Sequence, residues 1–390
     1  MPITLDKLRR YTVARNFPPP TTLKRAIHRM GFVQADPIRA PARAQDLILR
    51  QRVKDYRAGD LERRYATLDI DEDVFVNYGF VSRSLQSLMH PRTTSSALGV
   101  FASDPRSGLT AEQAKLLLEF VRARGEAHPR QVEEHFAHGT VTNYWGGSSN
   151  ATTHLLEVMH YRGLLRVARR EKGIRIYRVS EWALTMRAAK DAYAFATKGS
   201  PTSSPGQIEA NDRDARIDKL VDTVVRIYAP LPGASLSYYV RRLRHAVPQW
   251  TDELTNALQR AKARLAHANV EGLDWYWPKE NAKPTALLES VRFLAPFDPL
   301  VHDRARFKLL WGWEYRFEAY TPAPKRKLGY YALPLLWRDR VIGWTNLAVK
   351  DSELLAQFGY VESQRHERAF KRELEAELER TRAFLDLARR

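Results

Sequence analysis

Between Leu164 and Val179 the chain reads LLRVARREKGIRIYRV, two alternating runs separated by Glu171-Lys172-Gly173. Alternation with a period of two puts successive side chains on opposite faces of a strand, and a short Gly-containing connection folds two such runs into a hairpin. Three helix signals precede it. Thr110 and Gln113 make a start resembling a capping box for a helix through Arg122, and HPRQVEEHFAHG supplies a second short helix closed near Gly139. NATTHLLEVMHYRG then places Leu155, Leu156, Met159 and Tyr161 at helical spacing before Gly163. Three helices plus a hairpin is the plan of a winged helix, a variant of the helix-turn-helix. The hairpin becomes a wing carrying Arg169, Arg170, Lys172 and Arg175. Basic residues on a hairpin also keep a sheet edge from pairing with other chains; four together point to phosphate contact.

The rest of the chain divides around this unit. The first 104 residues alternate short helical patterns with one extended segment, MGFVQADPIRAPARAQDLILRQR, and the winged-helix unit is expected over 105–200. ATKGSPTSSPGQ reads as a linker or long loop. A third module over 208–282 repeats the helical spacing in DARIDKLVDTVVRIYAPL, SLSYYVRRLRHAV and TDELTNALQRAKARLAHANV, with VEGLDWYWP as a short strand or wing remnant. From 283 to 350 aromatic strands, GWEYRFEAYTP and LGYYALPLLWRDRVIGWTNLAVK, predict a small antiparallel β-module turning at Arg338-Asp339. Residues 351–390 read as a helix with Phe370, Leu374, Leu378 and Leu385 on one side, packing against a core. The expected fold class is mainly α with small β elements: tandem winged-helix modules, a β-module and a C-terminal helix.

Charge narrows the partner. Among 390 residues, 63 Lys and Arg stand against 45 Asp and Glu, a formal charge of +18 whose field gathers polyanions, nucleic acid first. Neither an amphipathic basic helix nor a lipid anchor stands out to favour an anionic membrane. No stretch approaches a membrane span or a signal peptide, so a cytoplasmic, nucleoid-associated protein is expected. The absence of cysteine rules out disulfides, thiolate zinc sites, iron–sulfur clusters and cysteine nucleophiles. His135 and His138 share a helical face without a third ligand, so no metal site is expected. Gly146-Gly147-Ser148-Ser149 lacks the following Lys and preceding strand of a phosphate loop. Tyr144 and Trp145 beside it read more readily as core anchors than as a base-stacking pair.

Val33-Gln34-Ala35-Asp36-Pro37 is the segment richest in chemistry. Proline biases Asp36 toward extended geometry, and in an extended strand Gln34 and Asp36 share a face while Val33 and Ala35 turn to a core. An Asp before Pro is also an ordinary turn or cap residue. Phe32-Val33-Gln34-Ala35-Asp36-Pro37-Ile38, followed by Ala40-Pro41-Ala42-Arg43-Ala44-Gln45, resembles the Q-x-D/Q-x-Q motif of the YcaQ/AlkZ family of winged-helix DNA glycosylases. Pro296-Phe297-Asp298-Pro299-Leu300-Val301-His302-Asp303-Arg304 resembles the same family, as does Tyr320-Thr321-Pro322 through Lys325-Arg326 to Gly329-Tyr330-Tyr331 and Leu333-Pro334.

The resemblance implies tandem winged helices arranged around double-stranded DNA, a β-module, no cofactor, and excision of N7-alkylated purines, in some members with unhooking of interstrand crosslinks. A single long chain of pseudo-repeated modules can encircle DNA without dimerising, so a monomer is expected. It places Gln34 and Asp36 in the catalytic positions. Asp36 would polarise water and face a cationic sugar, and Gln34 would orient that water or the sugar. No lysine adjoins the motif to suggest Schiff-base lyase chemistry. The chain departs from the pattern twice: Asn77-Tyr78-Gly79-Phe80-Val81 lacks the histidine of an aromatic-x-His element, and Gly343-Trp344-Thr345-Asn346-Leu347 lacks an expected Arg and Asp. The rival reading is a non-enzymatic winged-helix DNA-binding protein, a regulator or lesion sensor.

Overall fold

Thr4 and Thr22 each accept a hydrogen bond from the backbone N–H three residues on, starting helices α1 (Leu5–Asn16) and α2 (Leu23–Met30). A computed structural model describes residues 2–90, 92, 111–136, 140–142, 148–185, 206–279, 289–361 and 367–387. After α2 come β1 (Phe32–Gln34), α3 (Ala44–Leu49), α4 (Asp60–Arg64), β2 (Ile70–Val74), β3 (Tyr78–Ser82) and α5 (Arg83–Met89). β1, β3 and β2 form an antiparallel sheet in that order. The extended segment expected in this module is therefore short. Beyond Gln34 the chain turns, and Ala44–Leu49 is helical with every residue buried.

Helices α6 (Ala111–Arg124), α7 (Pro129–Phe136) and α8 (Ala151–Tyr161) follow, with a short ribbon of β4 (Thr140–Thr142) and β5 (Ser148–Asn150) between the last two. The basic hairpin is β6 (Leu165–Glu171) with β7 (Ile174–Val179), leading to α9 (Glu181–Thr185). Its turn is one residue tighter than the expected Glu171-Lys172-Gly173. Glu171 pairs with Ile174, and Lys172 and Gly173 alone make the connection at φ 48 and 87, the left-handed geometry whose twist matches a hairpin. Thr110, His138, Gly139, Tyr144 through Gly147 and most of the linker sequence lie outside the described residues.

Three helices and a hairpin recur as α10 (Gly206–Tyr228), α11 (Gly233–Arg242), α12 (Leu254–Arg264), then β9 (Ala266–Val270) and β10 (Leu273–Trp277), joined at Glu271-Gly272. β8 (Leu231–Pro232) completes that sheet. The segment read as a strand or wing remnant supplies the turn and second strand of a full hairpin, whose first strand, β9, corrects the reading of Ala266–Val270 as the end of the third helix.

The β-module is a four-stranded sheet of β11 (Val291–Phe293), β12 (Leu333–Trp337), β13 (Arg340–Lys350) and β14 (Glu353–Tyr360), with α13 (Arg304–Trp311) between the first two. β12 and β13 turn at Arg338-Asp339 as expected. Two expectations are corrected. GWEYRFEAYTP is irregular, because its side chains rather than its backbone bond to the sheet: Trp313 donates to the Val341 carbonyl at 3.1 Å and Tyr315 to the Ala332 carbonyl at 2.7 Å. Residues 351–390 are not one helix. Asp351 and Ser352, at φ 51 and 62, make a tight turn into β14, and α14 runs only from Arg368 to Phe384. Phe370 is buried there, with Leu374, Leu378 and Leu385 packed against the core.

Strand β2 runs Ile70-Asp71-Glu72-Asp73-Val74, unlike a sequence of high strand propensity, yet its three carboxylates are only 2, 0 and 2% exposed. Each is met by arginine. Asp71 takes a two-point bond from Arg166; Glu72 takes one from Arg170 at 2.6 Å through each nitrogen, with Arg175 3.5 Å away. Asp73 accepts from Arg92 and contacts the His90 ring, each at 2.7 Å. Burial works to raise all three pKa values. It prevails over Arg166 at Asp71, whereas Arg170 holds Glu72, and Arg92 with His90 holds Asp73, below the ordinary carboxylate range.

Removing one partner of a buried pair leaves the other charge uncompensated at about 3–5 kcal/mol. Glu72→Gln, which keeps the shape and strips the charge facing Arg170 and Arg175, is expected to lose that much in urea unfolding. Glu126→Ala, which removes a half-exposed partner of Arg169, should barely move the midpoint. Because the folded pKa of Glu72 lies below the ordinary 4.5, its contribution is present above that pH and lost as pH falls through the folded value. The variant's stability should therefore fall less steeply in acid than that of the wild type.

Candidate active site

The site grows from the end of β1. Gly79 stands opposite Gln34 in β3, and a Cβ there would lie 2.4 Å from the Val33 carbonyl oxygen and 2.5 Å from the Phe32 ring. Only glycine lets the two strands approach this closely. Val33 is buried and Ala35 packs partly against the core, as the alternation predicts, while Gln34 is 8% exposed. Beyond the strand, the Asp36 backbone N–H donates to the Gln45 amide oxygen at 3.3 Å, and its carboxylate accepts from the Ile38 N–H at 2.9 Å across Pro37. The carboxyl is thus fixed by a local turn yet half-buried, and burial raises its pKa against the lowering effect of the Ile38 bond.

Two further groups converge here. Tyr331 is 2% exposed and its hydroxyl has no hydrogen-bond partner among the described residues. Burial first and the nearby Asp36 carboxylate second raise its pKa. On the other side Gln34 accepts from the Asn77 amide nitrogen at 3.1 Å, and the same nitrogen lies 3.2 Å from His302 Nε2. His302 Nδ1 is 2.7 Å from the Tyr239 hydroxyl. Arg242 donates to the Asn77 amide oxygen at 2.5 Å and to the Val76 carbonyl at 2.7 Å.

The site therefore draws on β1, the β2–β3 turn, α11, the segment before α13 and the chain entering β12. Sequence reasoning found Gln34 and Asp36 and quoted the segment containing His302 without giving it a role. It noted the missing histidine near Asn77 but not that Asn77 bonds one from elsewhere. Tyr331 likewise lay in a family-like segment without a role, and Tyr239 and Arg242 carried no signal of their own.

A groove of about 1050 Å³ that shares Tyr331 with the site is lined also by Arg39, Arg326, Lys327, Tyr330 and Trp344. The loop along it is ordered by Glu318, whose carboxylate accepts from the backbone N–H groups of Lys327, Leu328 and Gly329. Tyr320 at its bend is 80% exposed.

The four wing cations fall into two classes. Arg170 is committed to Glu72, and Arg175 lies between Glu72 and Glu157 over the Tyr78 ring. Arg169 is 44% exposed and pairs with Glu126 and Glu171, and Lys172 is exposed at the turn. His135 stacks on Phe120 with ring centroids 4.7 Å apart. Among the described residues, no three His, Asp or Glu side chains converge as metal ligands.

The family model described as DNA glycosylase AlkZ-like matches residues 27–384, and the chain belongs to that family. It is therefore a DNA glycosylase, an enzyme of DNA repair, which decides against the non-enzymatic reading. Among solved structures, the Streptomyces sahachiroi DNA glycosylase AlkZ is similar over 100% of this chain and 98% of its own, with a TM-score of 0.55 and 16% identity. The two share a fold. Among the described residues no helix is long and apolar enough to cross a membrane.

The close contact at Gly79 sets a test. Gly79→Ala must push β1 away, at the cost of about 1–3 kcal/mol typical of overpacking, and should lower base-excision activity beyond its effect on the folded fraction. Urea unfolding and excision assays on the same preparation measure both.

Proposed function

We propose that the chain hydrolyses the N-glycosidic bond of N7-alkylated purines in duplex DNA, including purines tethered in interstrand crosslinks, acting as a cytoplasmic, nucleoid-associated monomer. The carrying observation is a half-buried carboxylate, Asp36, fixed by the Ile38 N–H two residues after an amide, Gln34, whose orientation is imposed by its neighbours. N7 alkylation places positive charge on the purine, so the base departs without strong protonation. The enzyme's remaining work is to oppose the charge developing on the sugar and to direct water. Ionised Asp36 does the first and polarises the water. Gln34 orients that water or the sugar.

The two helix–helix–helix–hairpin units over 111–179 and 206–277 support a reading as winged-helix modules presenting cations to the duplex. Arg169 and Lys172 face outward to meet phosphate, while Arg170 and Arg175 act chiefly by docking the wing onto β2. The groove that shares Tyr331 with the site, lined by aromatic and cationic side chains, has the chemistry to accept a bulky adduct without full extrusion of the base.

Asp36→Asn is expected to keep duplex affinity and melting temperature while slowing single-turnover excision of N7-methylguanine by roughly 10²–10³. The wild-type rate should rise with pH as Asp36 ionises, along a limb displaced above the ordinary aspartate value of 3.8, and then level off. That limb should vanish in the variant. Full excision by a stable Asp36→Asn protein would overturn the assignment.

For the wing, the Arg169→Ala/Lys172→Ala double variant should flatten the log–log salt dependence of duplex binding by about 1.8, at about 0.9 per lost phosphate contact. An unchanged slope would remove the wing from the DNA interface.

A further inference from the structure

The hydrogen bonds around Asn77 admit only one arrangement of protons. A guanidinium can donate and never accept. Arg242 lies 2.5 Å from one amide atom of Asn77, so that atom is the oxygen. The other is the NH2, which faces Gln34 at 3.1 Å and His302 Nε2 at 3.2 Å and has one hydrogen for each. Both neighbours must therefore accept. Gln34 turns its carbonyl oxygen to Asn77, leaving its own NH2 pointing the other way, and among the described residues that NH2 donates to none. His302 accepts at Nε2, so in the neutral ring the proton sits on Nδ1, 2.7 Å from the Tyr239 oxygen.

The ring's surroundings fix that state. His302 lies against Tyr239 and Tyr228, whose own rings stack 4.1 Å apart. Desolvation first, then the Arg304 guanidinium, followed by Arg242 and Arg306 against the opposing charge of Asp303, bring its pKa down to about 3. A charged imidazole would carry hydrogen on both nitrogens and could not accept from Asn77.

We propose that Arg242, Asn77, His302 and Tyr239 form a positioning relay whose output is the orientation of the Gln34 amide, with its NH2 turned toward the reacting centre. This rests on the glycosylase reading above. It makes Gln34 a donor, to the attacking water's oxygen or to a sugar oxygen, and leaves the negative acceptor role to Asp36. The relay residues touch no reacting atom and act through Gln34.

Asn77→Asp tests the direction of the relay. The carboxylate still accepts from Arg242 but has no hydrogen to give, so Gln34 can bond it only by reversing its amide and presenting oxygen to the site. Single-turnover excision should fall about 10- to 100-fold, the cost of a misplaced group, with duplex affinity and melting temperature preserved. In a Gln34→Ala background the same substitution should cost nothing more, because its effect passes through Gln34. Equal losses in both backgrounds, or an undiminished rate in Asn77→Asp, would overturn the proposal. The second measurement needs no turnover: the 15N spectrum of His302 in the wild type, between pH 5 and 8, should show a protonated Nδ1 and a bare Nε2. A protonated Nε2 overturns the relay even if excision is robust. The predicted tautomer in a protein that excises no N7-alkyl base would keep the relay and sink the substrate reading instead.

Discussion

Three consecutive buried carboxylates are the constraint around which the molecule is assembled. An unpaired carboxylate in the interior costs several kcal/mol, so Asp71, Glu72 and Asp73 force arginines to come to them from elsewhere in the chain. Arg166, Arg170 and Arg175 arrive on the basic hairpin and lock it onto the N-terminal sheet. Arg92 arrives after α5 and carries the network further, donating to the Tyr161 carbonyl at the end of α8 and to the Ala246 carbonyl beyond α11. One strand of five residues thus joins three modules. A protein of charge +18 can use acids in this way because it has arginines to spare, and those left unpaired remain available for an anionic partner.

A complementary triplet fastens the other side. Arg50 pairs with buried Glu377 of α14, Gln51 donates to the Phe293 carbonyl of β11, and Arg52 makes a two-point bond to fully buried Asp298. Asp298 and Asp303 bracket the site histidine. The first is held by Arg52, and the second caps α13 by accepting from the Arg306 N–H, so His302 sits between two fixed points. Asn77 is fixed from the acidic side, because Tyr78 next to it donates to Glu72 and lies under Arg175. The site is the place where these two fastenings meet, and its hydrogen bonds span them.

That position suits the chemistry. The proposed excision of a cationic base needs little from a general acid and much from fixed dipoles around a developing sugar cation. Asp36 and Gln34 are each held by backbone or amide hydrogen bonds.

Local pattern in the sequence settled a good part of this. Alternation and turn residues marked the hairpins at 165–179 and 333–350, helical spacing marked α8 and α14, and Pro37 with the pair Gln34 and Asp36 marked the segment proposed to be catalytic. All are periodicities or short-range stereochemistry, which the chain carries without its neighbours. Contacts between distant residues left no such mark. β2 was illegible as a strand because Asp-Glu-Asp has poor intrinsic preference for one, and only arginines from distant parts of the chain, Arg92, Arg166, Arg170 and Arg175, make its burial tolerable. β14 was read as helix because its alternation is half-exposed and its strand identity comes from pairing with β13. Arg170 and Arg175 looked like free phosphate ligands because a sequence shows a charge and not its counter-charge. The proton arrangement that orients Gln34 is the extreme case: Arg242 and His302 lie 165 and 225 positions from Asn77, and which atom of an amide faces which partner is decided only when the folded chain brings them together.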